Sequence, residues 1–206
     1  MSAEPKVHII DDDAAVRDSL AFLLDTAGLD VATYPSAPAF LAALAAPARG
    51  CVVTDVRMPD MTGIDLLKRL RAQRLGLPVI VMTGHGDVPL AVEAMREGAA
   101  DFIEKPFDDE LLLAAVQAAL EQEEGTFRCQ EEQAEIDARI ASLTARESQV
   151  LAGLVEGKAN KQIAFELDIS ARTVEIYRAN VMTKMKVRSL PELVRLALKA
   201  EPAPPA

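Results

Sequence analysis

Four short apolar runs in this chain each end on a residue that carries chemistry, and amphipathic stretches separate them. Val7-His8-Ile9-Ile10 leads into Asp11-Asp12-Asp13, and Val52-Val53-Thr54 leads into Asp55. Val79-Ile80-Val81-Met82 ends at Thr83, and Phe102-Ile103-Glu104 ends at Lys105-Pro106. Short, β-branched, continuously apolar runs suit strands buried on both faces of a parallel sheet. Val31-Ala32-Thr33-Tyr34 is a weaker fifth strand. Helical patterns fall near 14–27, 36–45, 64–74, 89–97 and 109–122, where Leu20, Leu23, Leu24 and Ala27 keep the spacing of a core-facing stripe. Gly28 and Gly98 follow such stretches, where a left-handed cap is wanted. Five βα units predict an α/β fold, a (βα)5 doubly wound parallel sheet with helices on both faces.

In open α/β sheets, ligands bind at the carboxyl ends of the strands. Acids from two strands, a hydroxyl from a third and an ammonium from a fourth would meet there. Such a pocket suits a hard divalent cation and a phosphoryl group. Magnesium takes oxygen ligands, keeps several waters and needs only one or two carboxylates. Asp12 and Asp55 are the natural direct ligands, with Asp11 acting through water and the Arg57 backbone carbonyl adding an oxygen. A carboxylate can also attack phosphorus to give an aspartyl phosphate. Lys105 would then pair with a transferred oxygen, and Thr83 would hydrogen-bond the new group by swinging towards Asp55. Asp13, directly before a helix, reads as a cap. Zinc has almost no support, because His8 and His85 stand far in sequence from Cys51 and Cys129.

The charge of −10 is unevenly spread. Residues 1–122 hold 19 acidic against 10 basic residues, 123–141 hold 6 against 2, and 142–206 hold 7 against 10. A mildly basic end behind an acidic first part fits a DNA binder tethered to a regulatory domain. Residues 123–141, rich in Glu and Gln and interrupted by Gly125, read as a linker with helical character from Ala134, Ile136 and Ile140. From 142 onward strand patterns disappear. Thr144-Ala145-Arg146-Glu147 is a capping box opening a helix to about Glu156, with Gly157 just beyond. Asn160 would cap a short helix through Leu167, and Ser170 a longer one through about Met185. Ser189-Leu190-Pro191-Glu192 is a second capping box with its proline in the first turn. The middle pair of helices, joined by Asp168-Ile169-Ser170, has the arrangement of a helix-turn-helix. Residues 142–200 therefore read as a small all-α domain of four helices, and 201–206 as a disordered tail.

No apolar run approaches the roughly 20 residues that span a bilayer. Met1-Ser2-Ala3-Glu4-Pro5 carries no basic region followed by an apolar stretch, so neither a signal peptide nor a membrane partner is expected. Two cysteines in unlike surroundings argue against a structural disulfide and for a cytoplasmic location.

Asp11-Asp12, Asp55 followed by Arg57-Met58-Pro59-Asp60-Met61-Thr62-Gly63, then Thr83 and Lys105-Pro106, resemble the response-regulator receiver family over residues 5–122. The run from Thr83 through His85, Gly86 and Asp87 to Met95, and Asp101 to Phe107, resemble its FixJ/NarL branch. The resemblance implies that Asp55 is the phosphoacceptor, that Asp11 and Asp12 hold Mg²⁺, and that Thr83 and Phe102 couple phosphorylation to a surface change. It further implies a cis Lys105-Pro106 peptide and a dimer face around Val92, Ala94, Met95 and Phe102 through Lys105. Partners implied are a FixL-like sensor histidine kinase, double-stranded promoter DNA, RNA polymerase and, once phosphorylated, a second copy of the chain. FixJ relatives serve oxygen-responsive control of nitrogen fixation, the role the resemblance implies here, and close paralogues with nearly the same motifs answer other signals.

Thr144 through Leu198 resembles the LuxR-type DNA-binding domain. Residues 172–184 would then be the recognition helix in the major groove. The resemblance places Glu175, Ile176 and Ala179 towards the bases, with Thr173 on the same helix. Glu accepts from cytosine N4 and Ile touches a thymine methyl. Arg172, Arg178, Lys161, Lys184 and Lys186 are candidates for phosphate contacts, which position without specifying. Two other classes fit less well. Aspartyl-phosphate phosphatases carry a second Asp two residues after the nucleophile, where this chain has Arg57, so slow self-dephosphorylation is the most an enzyme reading expects. RNA binding lacks stacking residues, since Phe165 and Tyr177 are the only aromatics after residue 141.

Overall fold

The computed structural model describes residues 4–44, 48–84 and 88–200. The chain divides into two compact units, Met1–Phe127 and Arg128–Ala206. In the first, β1 (Lys6–Ile10), β2 (Val31–Tyr34), β3 (Gly50–Asp55), β4 (Val79–Thr83) and β5 (Asp101–Glu104) alternate with α1 (Ala14–Thr26), α2 (Ala37–Ala43), α3 (Gly63–Ala72), α4 (Val88–Arg96) and α5 (Asp109–Ala141). All strand pairs are parallel, in the order β2-β1-β3-β4-β5. The predicted fold class is the one observed. Each face of the sheet carries its own core. One gathers Ile10, Val52, Val81, Phe40 and Leu67 under α2, α3 and α4. The other gathers Ile9, Val53, Ile80, Leu24 and Leu112 under α1 and α5. Fully burying each such side chain contributes about 1.5–3 kcal/mol.

Caps follow the local sequence. The Asp13 carboxylate accepts from the Ala15 backbone N–H at 2.8 Å and opens α1. Thr62 and Asp65 form a reciprocal capping box at the start of α3.

The expected linker segment is helical. α5 runs through Gly125 without a break. An internal glycine costs a helix about 1 kcal/mol, and the Glu, Gln and Ala around it favour the helix. Glu123 belongs to the first unit: its carboxylate takes two hydrogen bonds from Arg49, at 3.1 and 3.2 Å, and is 5% exposed. The same guanidinium lies 4.0 Å over the Phe127 ring. Isolated glutamates look like linker residues in a sequence, because their partner sits 74 positions away.

In the second unit, α6 (Ala145–Val155), α7 (Asn160–Leu167), α8 (Ala171–Lys184) and α9 (Leu190–Ala200) close over Val150, Ile163, Val174, Val181, Met185 and Leu193. The Thr144 capping box forms as predicted. Ser170 Oγ accepts from the Thr173 N–H at 3.0 Å and opens α8. α7 begins differently from expectation. Ala159 is its N-cap, Asn160 is the first helical residue, and the Gln162 carboxamide accepts from the Ala159 N–H instead. At the second predicted box, the Glu192 carboxylate accepts from the Arg188 N–H rather than from that of Ser189. The turn between α7 and α8 passes through Asp168 in the left-handed conformation, at φ 53°. The predicted tail at 201–206 lies outside the described residues.

Candidate functional site

Strand order places the four chemistry-bearing strand ends side by side. β1 pairs with β3 and β3 with β4, and β4 pairs with β5 through Thr83 and Glu104. Strand order reverses between β1 and β3, the switch point where such sheets bind ligands. Asp11 and Asp55 stand there. Lys105 Nζ reaches both, donating to Asp11 Oδ2 at 2.9 Å and Asp55 Oδ1 at 2.7 Å. Half-burial of the ammonium opposes its charge, but the hydrogen bonds to Asp55 and Asp11 outweigh that and hold Lys105 above the usual lysine range. The Lys105-Pro106 peptide is cis.

Each carboxylate is also held by its own backbone. Asp11 Oδ1 accepts from the Asp13 N–H at 2.9 Å, and Asp55 Oδ2 from the Arg57 N–H at 2.7 Å. Arg17 reaches from α1 to the Asp11 carbonyl at 2.7 Å. Asp11 is buried, Asp55 is partly open and Asp12 is exposed. Thr83 is buried at the end of β4, and its carbonyl accepts from the Lys105 N–H at 2.7 Å. Phe102 is half-buried against the core beneath α4. His85, Gly86 and Asp87 lie outside the described residues.

The donors are hard oxygens, which fits magnesium and not a thiolate-seeking metal. Among the described residues, no three His, Cys, Asp or Glu side chains are gathered to hold an ion by themselves. Magnesium does not require that, since it retains waters and takes one or two carboxylates.

Gly63 has a role that its place in the motif did not disclose. A Cβ there would stand 2.3 Å from the Asp55 carbonyl oxygen, so glycine is what lets the start of α3 close against the end of β3. The Gly63 N–H donates to the Val56 carbonyl at 3.0 Å. The legible signal was the Thr62-Gly63-Ile64-Asp65 cap directly behind the acidic loop.

On α4, Val92 and Met95 are about half exposed, 45% and 50%. Ala94, expected with them, is fully buried in the core beneath α4, because it faces the sheet from the opposite side of the helix.

In the helical unit, Arg172, Glu175, Ile176 and Ala179 are exposed on α8, while Thr173 and Arg178 are half-buried. Lys161, on α7, is exposed. It lines a groove with Lys158, Glu175 and Arg178. Lys186 is exposed just beyond α8, with its ammonium 3.7 Å from Glu135. Lys184, expected at the phosphates, is engaged elsewhere. Its ammonium donates to Glu147 Oε2 at 2.7 Å and to the Ser142 carbonyl at 3.2 Å. That hydrogen bond, with the one from the Thr144 N–H, holds the Glu147 carboxyl below the usual carboxylate range. Arg139 adds a hydrogen bond to the Met185 carbonyl at 3.1 Å. The C-terminal end of α8 is thus tied to the last turn of α5 and the first of α6.

A doubly wound sheet with paired acids and a lysine at its switch point, followed by a helix-turn-helix, defines the class of signal-receiving DNA-binding regulators. The family model of the response regulator receiver domain matches residues 7–117, and that of the bacterial regulatory proteins of the luxR family matches residues 141–197. Transcriptional regulatory protein FixJ of Azorhizobium caulinodans is 61% identical over 198 residues, which are 96% of this chain and 94% of that one. The structure of response regulator StyR, 42% identical, aligns with a TM-score of 0.89 over 96% of this chain and all of that one. Full-length FixJ from B. japonicum, 56% identical, aligns with a TM-score of 0.59 over 97% of this chain and 98% of that one. The chain belongs to the FixJ family of two-component response regulators, which regulate transcription.

No helix among the described residues is long and apolar enough to cross a membrane. Cys51 and Cys129 are free thiols, the first buried and the second exposed.

Proposed function

We propose that Asp55 accepts a phosphoryl group from a sensor histidine kinase, and that this modification switches promoter binding by the helix-turn-helix. The observation that carries the reading is the Lys105 ammonium held between Asp11 and Asp55 at the sheet's switch point. A carboxylate oxygen of Asp55 attacks phosphorus, and the bond from phosphorus to the kinase's histidine nitrogen breaks. Lys105 then pairs with a phosphoryl oxygen in place of Asp55, and Thr83 donates its hydroxyl to another. Asp12, Asp55 and the Arg57 carbonyl would hold Mg²⁺, with Asp11 reaching it through water. When bound, Mg²⁺ neutralises negative charge on the transferred oxygens. Water attacking the same phosphorus gives slow self-dephosphorylation, and Arg57 offers no general acid to speed it.

The output is dimerisation through the α4–β5 face, with Val92, Met95, Phe102 and Lys105 at its centre. Two DNA-binding units held together bind adjacent half-sites far better than one, by effective concentration. Residues 1–122 serve as the receiver and 142–200 as the DNA-binding domain, with the second part of α5 between them. Arg172, Lys161 and Arg178 neutralise phosphates, and Thr173, Glu175, Ile176 and Ala179 face the groove. The similarity to FixJ supports a FixL-like kinase, a role in nitrogen-fixation control, and activation through RNA polymerase in the cytoplasm, where promoters are. Incubation with a labelled small-molecule phosphodonor tests the acceptor. Wild type should incorporate one phosphoryl group per chain and Asp55→Asn only background; equal incorporation by both would refute the assignment.

A further inference from the structure

The exposed face of α8 extends beyond the positions so far placed towards DNA. Arg172, Ile176, Ala179 and Thr183 follow one another at spacings of three and four, Asn180 stands four beyond Ile176, and all five are exposed, so they share one ridge system. Val174 and Val181, fully buried, mark the opposite side. Glu175 stands at one flank, in the groove lined by Lys158, Lys161 and Arg178. Asn180 stands at the other flank, one turn beyond Ile176 on the same ridge.

The chemistry along this face is sparse. Ile176 and Ala179 are apolar, and the Thr183 hydroxyl is spent on the Ala179 carbonyl at 2.9 Å. Asn180 is the only carboxamide in α8. A carboxamide presents a donor and an acceptor side by side, which complements adenine N7 and N6 in the major groove. Asn180 is exposed, and its neighbour Ala179 carries only a methyl group.

We propose that Asn180 is a specificity-determining residue that recognises adenine. One helical turn advances about 5.4 Å and one base step about 3.4 Å. The adenine would therefore lie one or two base pairs from the base that Ile176 meets. This inference rests on the groove-facing placement of α8.

The test is selection from duplexes randomised over a half-site, using the full chain with Mg²⁺ and beryllium fluoride, alongside Asn180→Ala and Asn180→Asp. Wild type should select adenine at one position. Asn180→Ala should lose that preference alone, by roughly tenfold or more. Asn180→Asp, which can only accept, should turn it towards cytosine. An unchanged profile in both variants, or an equal fall in affinity for every sequence as a phosphate contact would give, would overturn the proposal. A wild-type chain that selects no sequence would overturn it together with the placement of α8.

Discussion

Two lysines in this chain each bridge a carboxylate, and they do so for opposite ends. Lys105 lies between Asp11 and Asp55 at a sheet edge where four strands deliver their terminal residues. Lys184 lies against Glu147 at the C-terminal end of α8. Around Lys105, the side chains that hold one another are those a phosphoryl group would engage. Around Lys184, the pair belongs to the scaffold, and the exposed residues of α8 are other ones. A convergent pocket declares its chemistry in its own hydrogen bonds. On α8 the ion pair stands at the helix end, and the exposed residues Arg172, Glu175, Ile176 and Ala179 lie along its length.

Replacing each lysine's function in turn separates the two. Lys105→Ala is expected to have the largest effect. It should abolish the gain in promoter affinity on adding beryllium fluoride with Mg²⁺, a gain on the order of a hundredfold in the parent from avidity. Fluorescence anisotropy with labelled promoter would measure it, and the thermal transition of the helical unit should not move. Glu147→Gln should do the reverse. It removes the charge opposite Lys184, so the transition of the helical unit should fall by several degrees in calorimetry, with phosphate incorporation unchanged. The native Glu147 carboxyl titrates below its unfolded value of about 4.3, because Lys184 and the Thr144 N–H hold its charged form. Its contribution is therefore complete above that value and is lost as pH falls through the native one. Glu147→Gln should flatten that acid limb.

A smaller effect is expected at His8, buried beside Tyr34 with Nδ1 3.2 Å from the hydroxyl oxygen. Burial pulls its titration below the ordinary histidine range. Between the native value and about 6.5 the unfolded chain binds the extra proton, so the sheet unit loses stability as pH falls below 6.5. His8→Phe should remove that dependence in urea unfolding followed at several pH values, while leaving phosphorylation intact. A pH slope that survives in His8→Phe would assign it to another group.

The sheet was legible because continuous β-branched runs have few other solutions, and the pocket because its members end those runs. Strand ends alone brought Lys105 to the pocket, whereas its hydrogen bonds to Asp11 and Asp55 are seen only in the fold. Three features were not legible, each for a physical reason. Glu123 looked solvated because nothing local marks Arg49 as its partner. Lys184 looked like a phosphate contact because a lysine near the end of a basic helix is the same in sequence whether its ammonium meets solvent or a buried acid. Asn160 looked like a cap, yet the helix starts one residue earlier in φ and ψ, with Gln162 supplying the acceptor. Helix ends depend on backbone angles that a single side chain does not fix.

Phosphorylation at Asp55 is proposed to drive assembly and promoter binding. Light-scattering mass in Mg²⁺, with and without beryllium fluoride, measured alongside promoter binding, tests it most directly. A monomer that becomes a dimer with tighter binding, and an Asp55→Asn variant that does neither, is the predicted result. Promoter binding of equal strength with and without the mimic, at unchanged mass, would contradict it.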